Sequence, residues 1–211
     1  ILGTAPSGGG AEYVTGVMIR MVTNSTGILF ENNAKTAMPG KRTYIICDFV
    51  PRSWLSKLIV NIFRLLYIQG AKIILRPEIT ISHLEGPNFL NLMTFFGGRR
   101  VIFVHNFLSL NYRDDIFANK TKKFLAILLY RRANIVAGVS TEICNEVNVD
   151  YGVPKDRILR IQNPVDIKYI RHKARNCFDD WKGLVIGDKY ILNVASFIEQ
   201  KNDKFLIDIY R

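Results

Sequence analysis

Along this chain, short apolar runs alternate with longer stretches in which apolar residues recur every three or four positions. The first pattern reads as strands over residues 1–5, 28–31, 43–49, 78–83, 100–105, 134–139 and 157–162. The second predicts helices over residues 11–21, from Pro51 to about Gln69 where Gly70 interrupts, 87–96 closed by Gly97-Gly98, and 117–132. A further helix follows the capping residue Ser140 and ends near Gly152. Strands that alternate with helices imply a mostly parallel sheet covered on both faces, a doubly wound α/β domain of Rossmann-like type. Residues 163–188 break the rhythm, with Pro, charge and little periodicity. They read as a linker with a short helix. A new strand over 190–195 and a new helix over 203–210 then open a second domain. The expected organisation is a first domain at 1–165, a linker at 166–188 and the start of a truncated second domain at 189–211. Ile1 falls inside a strand pattern and Arg211 inside a helical one, so both ends read as those of a fragment.

Composition and charge sharpen this outline. The chain has 211 residues, 48% of them hydrophobic, which suits a globular core and excludes disorder. Lys and Arg outnumber Asp and Glu by 29 to 18, a net charge of +11. The excess is local. Residues 49–77 hold no acid beside Arg52, Lys57, Arg64, Lys72 and Arg76, and residues 116–141 hold none beside Lys120, Lys122, Lys123, Arg131 and Arg132. Such stretches imply an anionic partner: nucleic acid, a phosphorylated ligand or an acidic membrane surface. Cys47, Cys144 and Cys177 are too few and too scattered for a disulfide scaffold or a metal site, which fits a reducing, cytoplasmic location. No run of about 18 uncharged apolar residues suggests a membrane span. Within residues 52–68, Lys57, Asn61 and Arg64 form one narrow polar stripe on an otherwise apolar helix. That composition predicts a core helix. The alternative is a helix lying on an anionic leaflet with Trp54 at one end.

Candidate chemistry gathers where strands end, the edge at which doubly wound folds bind ligands. Gly8-Gly9-Gly10 separates the first strand from the first helix, where backbone can approach an anion. It meets neither the dinucleotide fingerprint nor the P-loop pattern. His105 ends the strand Val101-Ile102-Phe103-Val104, and His83 ends Ile79-Thr80-Ile81-Ser82 with Glu85 two residues on. An imidazole there can hydrogen-bond a ligand or stabilise developing charge. His172 lies among Arg171, Lys173 and Arg175 and reads as solvated. No Ser-His-Asp set and no metal-ligand cluster is assignable.

Several segments together resemble glycosyltransferase family 4. They are residues 133–140 (Ala-Asn-Ile-Val-Ala-Gly-Val-Ser), Tyr151-Gly152-Val153-Pro154 and Asn163-Pro164-Val165-Asp166, in that order. Gly9-Gly10-Ala11-Glu12 resembles the family's glycine-rich loop, and Glu199-Gln200-Lys201-Asn202 its second-domain loop. The resemblance implies a GT-B fold of two Rossmann-like domains, the first binding mainly the acceptor and the second mainly the donor. It implies a retaining, metal-independent transfer that needs no cofactor. It assigns His105 to catalysis, in contact with the transferred sugar. Gly9, Gly10, His83, Glu85, Asn163 and Lys201 are assigned to donor or acceptor binding, with Lys201 on the donor diphosphate. Ala195-Ser196 stands where the family carries Gly-Arg, and Ser cannot supply a bidentate cation. The family's paired-Glu motif lies farther along than this chain reaches.

The expected function is therefore that of a retaining glycosyltransferase, seen as an N-terminal fragment with little activity alone. It would move a sugar from a nucleotide-sugar donor to a glycan or lipid-linked acceptor in polysaccharide or glycolipid biosynthesis. Its expected place is the cytoplasm or the inner face of an anionic membrane, with no nucleic-acid partner. One alternative is a non-catalytic or degenerate module that binds anionic glycan, membrane or nucleic acid. Another is a different Rossmann-type enzyme such as a nucleotide-dependent oxidoreductase, against which the failed glycine fingerprint argues.

Overall fold

Seven parallel strands form one sheet in the order β3-β2-β1-β4-β5-β6-β7, where β1 is Leu2–Gly3, β2 Gly27–Leu29, β3 Thr43–Ile45, β4 Ile79–His83, β5 Arg99–Val104, β6 Ile135–Gly138 and β7 Ile158–Arg160. The computed structural model describes residues 1–5, 9–31, 42–46, 49, 51–112, 117–176, 193–195 and 201–210. The strand order runs outward from β1 in both directions. The first crossover, through α1 (Gly10–Met21), therefore leads one way, and the later ones lead the other. Right-handed crossovers then place helices on both faces. This is the doubly wound Rossmann-like architecture that the alternation predicts, with its switch point between β1 and β4.

The later crossovers are α2 (Trp54–Leu75), α3 (Glu85–Met93), α5 (Phe117–Tyr130) and α6 (Thr141–Val149), with the short α4 (Leu108–Asn111) preceding α5. α3 packs between α2 and α5. One core cluster joins α3, α5 and α6 to β5 and β6 through Leu92, Ile102, Ala126, Tyr130, Val136 and Val147, all fully buried. A second, smaller cluster joins Leu2, Ile28 and Phe30 to Ile68 of α2 and Leu90 of α3. Gly98 sets the entry to β5. Its φ is +63, and a Cβ there would run into the Glu78 carbonyl, while Arg99 N–H donates to that same carbonyl at 2.8 Å. Only glycine lets the two strands start this close.

Three helix expectations need correction. α2 starts at Trp54, after Pro51, because Ser53 is its cap: Ser53 Oγ accepts from Ser56 N–H at 3.1 Å. Gly70 does not interrupt it. The helix runs on to Leu75 and stops where Arg76 turns left-handed at φ 44. Its hydrogen-bond ladder costs less to continue through one glycine, about 1 kcal/mol, than to break where Ile68 and Lys72 are both held inside. α3 spans Glu85–Met93, ahead of the expected window, and α4 was not foreseen.

The expectation of a core helix for α2 also fails. Only Val60, Arg64, Ile68 and Lys72 are buried, a ridge at four-residue spacing, and most of the aliphatic side chains face outward. Arg64 lies over the Phe30 ring, 4.7 Å from its centroid, and its Nη2 donates to the Phe30 carbonyl at 3.4 Å. Lys72 Nζ donates to Asn91 Oδ1 and Thr94 Oγ1, both at 2.6 Å. Among the described residues α2 is the one helix long and apolar enough to cross a membrane by length and composition. Here it is a crossover between β3 and β4, tied to the domain along the ridge of Val60, Arg64, Ile68 and Lys72.

Contacts divide the chain into Ile1–Pro164 and Val165–Arg211. The second unit holds α7 (Ile167–Asn176), whose Tyr169 N–H is capped by Asp166 Oδ1 at 2.9 Å, and α8 (Asp203–Tyr210). Of the strand expected over 190–195, residues 193–195 are irregular and 190–192 lie outside the described residues.

Candidate active site

The carboxyl ends of β4 and β5 bring His83 and His105 together. These strands pair in register, His83 opposite Phe103, so the residues just past that pair share one edge of the sheet. His83 Nδ1 lies 3.0 Å from His105 Nε2, one proton's hydrogen bond. The Phe103 ring stacks on His83 with centroids 4.6 Å apart. His83 is fully buried. In this arrangement the His83 ring lies behind that of His105.

Burial pushes the His83 imidazole down to about 3, and repulsion from a charged His105 adds to the shift. Burial likewise lowers His105 to about 4, while the neighbouring Asn163 side chain pulls in the opposite direction. Both rings are therefore neutral at pH 7. Asn163 thus stands beside His105, bringing a loop residue after β7 to the same edge. His83 Nε2 is buried with no hydrogen-bond partner among the described residues, and His105 Nδ1 is buried on a ring that the Asn163 side chain hydrogen-bonds.

A cavity of about 280 Å³ opens beside His105, lined by Glu85, Gly86, Asn88, Phe103, Asn106 and Tyr130 among others. Its backbone is shaped by strain. Leu84, between His83 and Glu85, has φ 69 and ψ 159, a region almost reserved for glycine. That twist turns the chain from β4 into α3 and sets Glu85 in the first turn of the helix. Asn88 Nδ2 donates to the Phe103 carbonyl at 2.9 Å, which ties α3 to the end of β5. The Tyr112 hydroxyl faces Glu85. Burial, with the negative charge of Glu85 among the further causes, holds this phenol firmly protonated. Burial does the same to Tyr130. Glu146 accepts from Leu108 N–H at 2.9 Å and Ser109 N–H at 2.8 Å, so its carboxylate caps α4, whose Leu108 lines the cavity. Asn88, Tyr112, Tyr130 and Glu146 carried no signal in the sequence, because their roles depend on which helices meet over β5.

The glycine loop leads directly into α1. Gly9 caps α1, and its N–H donates to Glu12 Oε2 at 3.1 Å. That amide is already satisfied by a carboxylate, so an anion can use it only by displacing Glu12. Gly10 is the exposed first residue of α1, and a Cβ on it would meet nothing within 4 Å. Gly8 and Ser196 lie outside the described residues. Lys201 is exposed just before α8, in the second unit. No group of three or more His, Cys, Asp or Glu among the described residues is placed to hold a metal ion.

The family model for Glycosyltransferase Family 4 matches residues 16–169. The chain belongs to glycosyltransferase family 4. The matched segment contains both histidines, the cavity and Asn163. The chain is 26% identical over 130 residues to the N-acetylgalactosamine-N,N'-diacetylbacillosaminyl-diphospho-undecaprenol 4-alpha-N-acetylgalactosaminyltransferase of Campylobacter jejuni, covering 60% of this chain. It spans 34% of the length of that curated relative. Among solved structures it resembles a sucrose-phosphate synthase from Thermosynechococcus elongatus, with TM-score 0.54 and 9% identity over 83% of this chain and 95% of that one. At that identity the likeness speaks for the fold, a Rossmann-like domain of a GT-B enzyme.

Proposed function

We propose that this domain forms the acceptor side of a retaining glycosyltransferase that moves a sugar from a nucleotide-sugar donor to a lipid-linked glycan at the cytoplasmic face of a membrane. The observation that carries the reading is the His83–His105 pair beside the cavity, inside the segment matched by the family. Support for a lipid-linked acceptor comes from the Campylobacter relative, whose name specifies a diphospho-undecaprenol substrate.

The arrangement suits positioning more than proton transfer. A neutral His105 cannot act as a general acid at pH 7, but it can hold a sugar hydroxyl through a hydrogen bond whose geometry His83 fixes from behind. Glu85 and Asn163 offer the further acceptors and donors that orient a polyhydroxylated ligand. Lys201 is the cation proposed for the departing diphosphate, where positive charge stabilises the charge that develops. The reaction is proposed to need no metal and no cofactor, as the family resemblance implies.

The test is transfer of a labelled sugar by the intact enzyme into an organic-extractable product. His105→Ala should lower kcat about a hundredfold, measured on protein that stays folded although the buried His83 loses its partner at a cost of about 1–3 kcal/mol in urea. Transfer at the parental rate by that variant would remove His105 from the reaction. Label found only in water-soluble product would remove the lipid-linked acceptor.

A further inference from the structure

α2 turns its apolar majority outward. Leu55, Leu58, Ile59, Ile62, Phe63 and Leu66 recur at helical spacing and are each about half exposed or more, Leu66 reaching 65%. Beyond Gly70, Ile73 and Ile74 continue the stripe. Phe95 and Phe96, exposed at 80% and 63%, extend it sideways. Phe95 N–H donates to Gln69 Oε1 of α2 at 2.9 Å, and Phe96 shares a cleft with Ile73 and Arg76. A continuous apolar surface of this extent is out of place against water.

The helix cannot roll to hide it. Arg64 and Lys72 on the inward ridge are fixed to oxygens of Phe30, Asn91 and Thr94. Rotation would bury the stripe only by pulling two cations off their partners. Exposed cations flank this face in the chain: Arg52 just ahead of the helix, Arg76 at its end and Arg99 three residues after Phe96. No Asp or Glu occurs in residues 49–77.

We propose that α2, with Phe95 and Phe96, is a membrane-docking surface that lies in the plane of an anionic phospholipid leaflet. The stripe enters the boundary between headgroups and acyl chains, and the flanking cations meet lipid phosphates. At about 1.5 Å per residue the helix offers a contact about 33 Å long. It lies flat because both of its ends return to strands of the same sheet. Charge selects this occupant over a second copy of the chain. Pairing two such faces would bring two sets of flanking cations together with no acid between them, whereas anionic lipid neutralises both these cations and the excess charge. The inference goes beyond the transferase reading and does not rest on it.

The test uses the full chain, with neither donor nor acceptor, and vesicles of phosphatidylglycerol mixed into phosphatidylcholine. Its outcome therefore leaves the transferase reading untouched. The chain should co-sediment with these vesicles, bind pure phosphatidylcholine far less, and dissociate as salt is raised. Ile62→Gln with Leu66→Gln should lower partitioning about thirtyfold, since each removes roughly one aliphatic side chain's half-burial in lipid. Both side chains already face solvent, so the urea midpoint should stay in place. Arg52→Gln with Arg76→Gln should lower partitioning about tenfold at low salt and have little effect at high salt. Any of three results would overturn the proposal. One is no binding to the anionic vesicles. Another is equal binding by the parent and the Ile62→Gln, Leu66→Gln variant. The third is a lipid-free dimer that the same variant dissociates, which would give the face to a second copy.

Discussion

Acid should unfold this domain through its histidine pair. In an unfolded chain each imidazole titrates near its ordinary value of about 6.5. In the fold His83 stays neutral down to about 3 and His105 down to about 4. Between those values the unfolded state binds more protons, so stability rises with pH and is lost as pH falls below about 6.5. At pH 5 each ring contributes about 1.4 kcal/mol for each of the 1.5 pH units below its unfolded value, or about 2 kcal/mol. The pair together removes about 4 kcal/mol between pH 7 and pH 5, a large share of the roughly 5–15 kcal/mol that holds an ordinary domain together. The assay is urea unfolding of the parent chain and of His83→Gln at both pH values. The Gln amide can still donate toward His105, but it does not titrate. The variant should be less stable at pH 7, and its loss on going to pH 5 should be smaller than the parent's by about 2 kcal/mol. Equal losses in the two proteins would show that acid sensitivity arises elsewhere and that His83 is not held neutral by its burial.

Lys72→Met should destabilise the domain by about 1–3 kcal/mol at pH 7, because the acceptors on Asn91 and Thr94 lose their buried donor. Burial lowers Lys72 to about 8, so the parent should gain about 2 kcal/mol between pH 8 and pH 10 relative to the variant; urea midpoints that shift equally would refute this. Glu146→Gln should cost about 1–2 kcal/mol, since Leu108 and Ser109 donate to different carboxylate oxygens and the amide NH2 that replaces one of them faces an N–H donor. Chemical denaturation at pH 7 checks it, and an unchanged midpoint would show that α4 is held without its cap.

The strands were legible because burial on both sides leaves little room for polar residues. Val101-Ile102-Phe103-Val104 and Ile135-Val136-Ala137 announce themselves as such runs. His105 was legible for a related reason: a polar residue that ends an apolar run must lie at the sheet's edge. The partnership of His83 and His105 was not, because it depends on β4 and β5 being neighbours in register over 22 residues of intervening sequence. Glu12 taking the Gly9 amide was equally hidden, since the same four-residue pattern serves a helix cap and a ligand loop. α2 failed for a deeper reason. Periodicity says which residues share a face but not which face turns inward. With one narrow polar stripe, burial of the apolar side is the natural guess. It is reversed here because Arg64 finds a carbonyl and an aromatic ring, and Lys72 finds three oxygens, where the sheet and α3 leave them.

The proton between the two histidines decides what His105 can offer a ligand. One hydrogen bond joins His83 Nδ1 to His105 Nε2, so one ring donates and the other accepts. His83 Nε2 is buried with no partner. A lone pair left unpaired in that position costs less than an N–H left unpaired, since orphaned buried donors are the rarer of the two. The proton of His83 therefore belongs on Nδ1, where it is donated to His105. His105 then carries its own proton on Nδ1, where the Asn163 side chain hydrogen-bonds the ring, so this N–H has a neighbour that the His83 Nε2–H of the other tautomer would lack. Such a ring has no free base, since Nε2 accepts from His83 and Nδ1 carries a proton, and this argues against its deprotonating a hydroxyl. Nitrogen-15 chemical shifts of the two rings at pH 7 would show a protonated Nδ1 on both. A His105 ring protonated at Nε2 instead would reverse the assignment and return His105 to the role of a base.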